Sequence, residues 1–219
     1  MSNINEQDWL LDKVVMEARY KKTPKFFEKK SELLRRNMLE FPDYNISKPD
    51  TIAMNSESMP PRFLHLDISR IVLDYNEPEN LDSFIASCSN VCSSTFNELS
   101  ITQIERIGIR TYWFLSMKMD KTKKILVNRL SLGKLNEIGD YNQPPEFKVY
   151  FNKADIFINI AAKAIKTQKF GINETDTFAN TDEGLLLDID IFVNNKGIKL
   201  DGYFHNVLEI NKAVLQKFN

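Results

Sequence analysis

Leu64-His65-Leu66-Asp67-Ile68, followed by Leu81-Asp82 and an apolar stripe at helix spacing, returns as Leu185-Leu186-Leu187-Asp188-Ile189, followed by Leu200-Asp201 and another such stripe. A repeat fixes architecture before any local assignment, so the echo predicts two pseudo-repeated halves, 1–103 and 104–219, packed as one compact body. Each half reads strand, basic helix, strands, helix. Hairpin-like connections and one-sided helices then predict an α+β fold, mainly antiparallel, with helices packed on one face of the sheet.

Working outward, Leu11 to Arg19 contains the β-favouring Val14-Val15-Met16 and reads as a strand. Pro24 opens a helix that runs to Leu39, with Phe26, Phe27, Lys30, Leu33, Leu34 and Met38 at its spacing. Asn45 to Ser58 reads as a loop with a short strand at Thr51 to Ser56, and Phe63 to Tyr75 as one bent strand or two short ones. Leu81, Phe84, Ile85, Cys88, Val91, Cys92, Phe96 and Leu99 trace one helix face without a miss. Ile104 to Leu115 alternates as a long strand, with Arg106, Gly108, Arg110, Tyr112 and Phe114 on one side. A basic helix follows over Asp120 to Leu135, then a turn-rich connector to Pro145. A hairpin is expected around Asn152-Lys153, and Lys163 to Glu183 is read as a flexible exposed loop. Gly184 to Val193 is a strand, Asn194 to Gly197 a turn, and Leu200 to Phe218 the closing helix.

A chain of 219 residues, 42% hydrophobic and 27% charged, has enough apolar material for a substantial core. No apolar run reaches the roughly 20 residues that span a bilayer, and Met1 to Asp12 has no export pattern. The expectation is a cytoplasmic protein with no membrane contact. Cys88 and Cys92, four apart in a helix, read as buried reduced thiols. The net charge of −1 conceals segregation: Lys13 to Arg36 holds nine basic and three acidic residues, Asn37 to Glu105 eleven acidic and three basic. Mutual neutralisation of such stretches is favoured over a field that draws in nucleic acid.

Glu105-Arg106-Ile107-Gly108-Ile109-Arg110, together with Gly184 to Phe192 and the helix around His205, resembles a family of sporadically distributed, uncharacterised bacterial proteins. In that family an Arg-Ile-Gly-Leu-Arg-Tyr-type strand precedes a second half ending in a Leu-Leu-Asp-rich strand and a final His-containing helix. The chain departs from the pattern at Thr111-Tyr112 and at Gly202-Tyr203-Phe204. The resemblance implies an accessory role, in mobile or defence loci, and assigns no catalytic residue or cofactor.

Candidate sites stand beside plainer readings. Asp188 and Asp190 project from one strand face, a spacing that can hold Mg or Mn for phosphoryl or nucleotidyl transfer; a solvated outer face is the plainer alternative. Arg106 and Arg110 share a strand face and can bracket an anion, or pair internally with the acidic stretches. His65 with Asp67 can form an acid/base pair, but no nucleophile stands at a recognisable spacing. Lys29, Lys30, Arg36, Lys121, Lys123 and Lys124 are candidate phosphate contacts on the two basic helices, against simple solvation. With no convergent catalytic set, the favoured function is a non-enzymatic module that binds another protein through sheet edges and the Lys163 to Glu183 segment. A metal-dependent enzyme and a nucleic-acid binder are the alternatives.

Overall fold

A computed structural model of the chain describes residues 9–129, 146–172, 177–194 and 200–218, with side chains at 128–129, 167–172 and 177–181 left aside. Its described strands form one nine-stranded antiparallel sheet, and its four described helices cover one face: the fold is α+β. In chain order the elements are β1 (Leu10–Tyr20), α1 (Lys25–Asn37), β2 (Asp43–Asn45), β3 (Thr51–Asn55), β4 (Arg62–Asp67), β5 (Arg70–Asn76), α2 (Leu81–Leu99), β6 (Ile104–Ser116), α3 (Met119–Arg129), β7 (Glu146–Lys153), β8 (Ile156–Ile172), β9 (Thr177–Asn194) and α4 (Leu200–Phe218). Across the sheet the order is β2-β3-β4-β5-β1-β6-β9-β8-β7.

The period-two alternation of the inner strands decides which face is covered. Val14, Met16 and Ala18 of β1, Ile107 and Ile109 of β6, and Leu187, Ile189 and Ile191 of β9 are all but inaccessible to solvent. They share a core with Phe26 and Leu33 of α1, Phe84 and Cys88 of α2, Leu126 of α3, and Phe204 and Val207 of α4. Burying each such side chain contributes about 1.5–3 kcal/mol, which holds the helices to this face. The intervening residues form the opposite, open face.

Local chemistry sets the element ends. The Asn80 side chain accepts the Ser83 N–H at 2.7 Å and so caps α2, whose last turn closes at left-handed Ser100 with the Ile101 N–H donating to the Phe96 carbonyl. Asp67 makes the β4–β5 turn: its Oδ1 accepts the Ser69 and Arg70 backbone N–H groups and its Oδ2 accepts Arg70 Nε. That is an Asx turn. Burial alone would raise the Asp67 carboxyl, but these donors outweigh it and hold it below the usual carboxylate range.

Two expectations are corrected. The described parts of Lys163 to Glu183 are strand rather than loop, because β8 runs to Ile172 and β9 starts at Thr177, paired from Lys166↔Glu183 to Ile172↔Thr177. The alternation that marks a strand fades there because β6 ends opposite Gly184; beyond it Glu183 still accepts the Met117 N–H, and among the described residues the ladder then pairs β8 and β9 with each other alone. The two segments of the echo stand at different places in the sheet. Leu64 to Leu66 lies in β4, separated from β1 by β5, whereas Leu185 to Ile189 lies in β9, directly beside β6. Finally, the hairpin turns at Ala154-Asp155, with Ala154 at φ 55°, rather than at Asn152-Lys153. Thr51 to Ser56 holds β3, Phe63 to Tyr75 divides into β4 and β5, and β2 was not foreseen. The connector over 136–145, the end of the second basic helix and the 195–197 turn lie outside the described residues.

Candidate functional site

The open face gathers into one surface four residues that the sequence offered as two separate sites. Antiparallel register puts Arg110 of β6 opposite Asp190 of β9, with Tyr112 opposite Asp188. Carried outward, the central ladder reads Asp74, Val15, Arg110, Asp190, Asn159, Tyr150 across six strands.

Arg110 meets Asp188 as a planar fork on a carboxylate, with Nε donating to Oδ1 at 2.7 Å and Nη2 to Oδ2 at 2.6 Å. Two aligned charge-assisted bonds are the strongest form this pair takes. The Asp188 bond, ahead of opposing desolvation, raises the Arg110 pKa, so the guanidinium stays charged. Both Asp188 oxygens are thereby engaged, which leaves Asp190 without a free carboxylate beside it to share a cation. Among the described residues no group of three His, Cys, Asp or Glu side chains converges as a metal site.

Asp190 has different surroundings. It accepts a hydrogen bond from Asn159 Nδ2 at 3.3 Å and has no ion pair among the described residues. Burial is the largest influence on it and raises its carboxyl above the usual range, against the opposing pull of Arg106 and Arg110. It borders two shallow hollows. One, of about 250 Å3, lies toward Lys148, Tyr150 and Ala161; the other, of about 240 Å3, lies toward Glu17, Arg106 and Tyr112.

Arg106 has no carboxylate partner within ion-pair distance among the described residues; its guanidinium lies over the Phe192 ring, 4.3 Å from the centroid. Phe192 in turn stacks on Phe157, centroids 5.1 Å apart and planes 12° from parallel. Gly108 lies directly opposite Phe192, and a Cβ there would come within 3.1 Å of Phe192 Cβ, so a side chain at that position would press on the base of the platform. The result is a cation on a two-ring platform. Sequence reading missed the platform, although Gly108 and the phenylalanines were visible, because the rings come from strands whose mutual register is not local information.

Elsewhere on the face charges are largely neutralised in place. Lys13 pairs with Asp74 at 2.8 Å, Arg19 with Glu17 at 2.8 Å, and Arg70 with Asp67 at 2.7 Å. His65 Nε2 stands 3.6 Å from Asp67 Oδ2, but that carboxylate is consumed by its turn, which argues against an acid/base pair. On α1, Arg36 and Lys29 both reach Glu98 of α2, and Lys30 donates to the Lys48 and Pro49 carbonyls. Lys121, Lys123 and Lys124 are exposed on α3.

A further hollow of about 310 Å3 lies at one end of the sheet, between Trp9, Leu81, Trp113, Leu208 and Leu215. Its size matches the lower end of small-molecule sites, but its buried polar residue is committed: Asn211 Oδ1 accepts from Thr111 Oγ1 at 2.7 Å and from Trp113 Nε1 at 2.9 Å. The two cysteines are buried, and burial raises both thiols, that of Cys92 to about 12, which disfavours the nucleophilic thiolate in each.

No protein-family model matches the chain, and no curated protein is significantly similar to it. Among the described residues no helix is long and apolar enough to cross a membrane.

Proposed function

We propose that the chain is a non-enzymatic protein-interaction module whose recognition surface is the open face of the sheet around Arg106, Tyr112, Asp190 and Phe192. The observation that carries this reading is a broad sheet face that none of the described helices covers, bearing a cation on stacked rings beside a half-buried carboxylate and several charges already paired. Aromatic and arginine anchors ringed by polar groups are what binding hot spots are made of. Mixed, paired charge provides no long-range field for a polyanion. The basic residues of α1 support the same choice, since Lys29, Lys30 and Arg36 are engaged within the fold.

A metal-dependent phosphoryl or nucleotidyl transferase has less support, because Asp188 is closed off by Arg110. The accessory or defence-locus setting, and a cytoplasmic location, belong to the same proposal and rest on the family resemblance and composition alone. We also infer a doubled ancestor: reading outward from the β1–β6 pair gives β5-β4-β3-β2 on one side and β9-β8-β7 on the other, with β5 the counterpart of β9.

A comparison of wild type with an Arg106→Ala, Tyr112→Ala, Phe157→Ala triple variant tests the reading. Wild-type protein is expected to retain a stoichiometric protein from native lysate, and the folded variant to lose it. A thermal midpoint raised by magnesium or manganese would instead revive the enzyme, and salt-dependent retention on mixed-sequence DNA the nucleic-acid binder.

A further inference from the structure

The two edges of the sheet are built differently. At one edge, β2 is three residues long and follows Pro42, both ordinary ways of blunting an edge. At the other, β7 runs for eight residues, Glu146–Lys153, and no strand lies beyond it among the described residues. Its register with β8 puts Phe147, Val149 and Phe151 on the helix-covered side, because Phe147 faces buried Ala162 and Val149 faces buried Ile160. Cover nevertheless runs out there: Phe147 and Val149 are only partly buried and Phe151 is 48% exposed. On the open face Tyr150 is 73% exposed. The edge carries Lys148 and Lys153, and Lys148 pairs with Glu146 at 3.1 Å, but its remaining length is mostly aromatic or apolar, and long edges of that kind are rarely left unpaired.

The sequence of this edge is close to a palindrome about Val149, since Phe147-Lys148-Val149-Tyr150-Phe151 carries phenylalanine at both ends and a cation balanced by an aromatic ring inside. We propose that β7 pairs antiparallel with β7 of a second copy of this chain, about a two-fold axis through Val149. Directly opposed residues then share a face. Phe147 meets the second copy's Phe151, Val149 meets its own copy and Phe151 meets Phe147, an apolar ladder that completes the cover missing at this edge. On the other face Lys148 meets Tyr150 twice, a cation over a ring, and Glu146 meets Asn152.

Neighbouring registers are worse. Centring on Lys148 sets two lysines against each other, and centring on Tyr150 sets Phe147 against Lys153. The contact is isologous and therefore closes at two copies. It also keeps both sets of helices on one side, so the two open faces lie next to each other as one continuous surface. This inference goes beyond the protein-recognition reading, which a monomer satisfies equally well.

Sedimentation velocity over a broad concentration series is expected to show reversible monomer and dimer for wild type, and monomer alone for Val149→Lys, which places like charges face to face on the axis. Circular dichroism checks that the variant is folded. Val149→Cys gives an independent measurement, because opposed residues have Cα atoms about 4.5–5.5 Å apart, inside the disulfide range. With Cys88 and Cys92 buried, mild oxidation is expected to link Val149→Cys into a covalent dimer and to leave Tyr44→Cys on the opposite edge monomeric. A wild type that stays monomeric throughout, a folded Val149→Lys that still dimerises, or a Val149→Cys that does not cross-link overturns the proposal; if Val149→Lys does not fold, the cysteine variants decide.

Discussion

Two aspartates on β9, two residues apart and on one face, end in opposite circumstances: Asp188 is clasped by Arg110 while Asp190 is half-buried with one long hydrogen bond. Their shared face was legible in the sequence, since a strand alternates with a period of two. Which of them would be neutralised was not, because the Arg110–Asp188 contact spans 78 residues and depends on the β6–β9 register. The difference has a pH signature. Burial raises the folded Asp190 carboxyl above its unfolded value, so between those two values the native state binds more protons than the unfolded chain, and stability falls as pH rises through that window. Asp190→Asn removes the titration and keeps an acceptor for Asn159. Urea unfolding across the acidic range is expected to show wild type losing ground to Asp190→Asn as pH rises, with a constant gap at neutral pH. A stability difference, wild type minus variant, that stays constant or grows as pH rises through that window would contradict the geometry around Asp190.

Among the elements, those with a strong internal period were readable: the unbroken stripe of α2 and the alternation of β1 and β6 fix face and type together. The ribbon formed by the ends of β8 and β9 was misread because it leaves the ladder of β6. The echo marks a kind of strand rather than a place in the sheet, for a related reason. Five apolar-alternating residues record that a strand has a buried face, not which neighbours it has, so β4 and β9 look alike despite their different places in the sheet. Gly184 marks where the ribbon leaves β6, opposite Ser116. A Cβ there would lie 2.2 Å from the Leu115 carbonyl oxygen and 2.7 Å from the Phe114 ring. The ring can turn; the backbone cannot yield without loosening the β6–β9 pair. Gly184→Ala is therefore expected to lower unfolding free energy by about 1–3 kcal/mol, the usual range for overpacking, read as a lower urea midpoint. An unchanged midpoint would mean that the strands separate more easily there than their pairing implies.

For the whole molecule, composition and connection type led to the α+β class and to helices on one face, because short connections between alternating strands leave helices nowhere else to pack. The strand order was not legible, nor was the consequence that β1 and β6 meet at the centre and bring Arg106, Arg110, Asp188 and Asp190 onto one surface. Function is proposed at this scale: a sheet covered on one side and open on the other offers a partner one amphiphilic face. The most direct test is photo-cross-linking from single positions in native lysate, with a photoreactive residue at Tyr112 on the open face or at Asn97, exposed on α2. The account predicts a discrete protein adduct from Tyr112 and none from Asn97; the same adduct from both positions, or an adduct with nucleic acid at Tyr112, would contradict it.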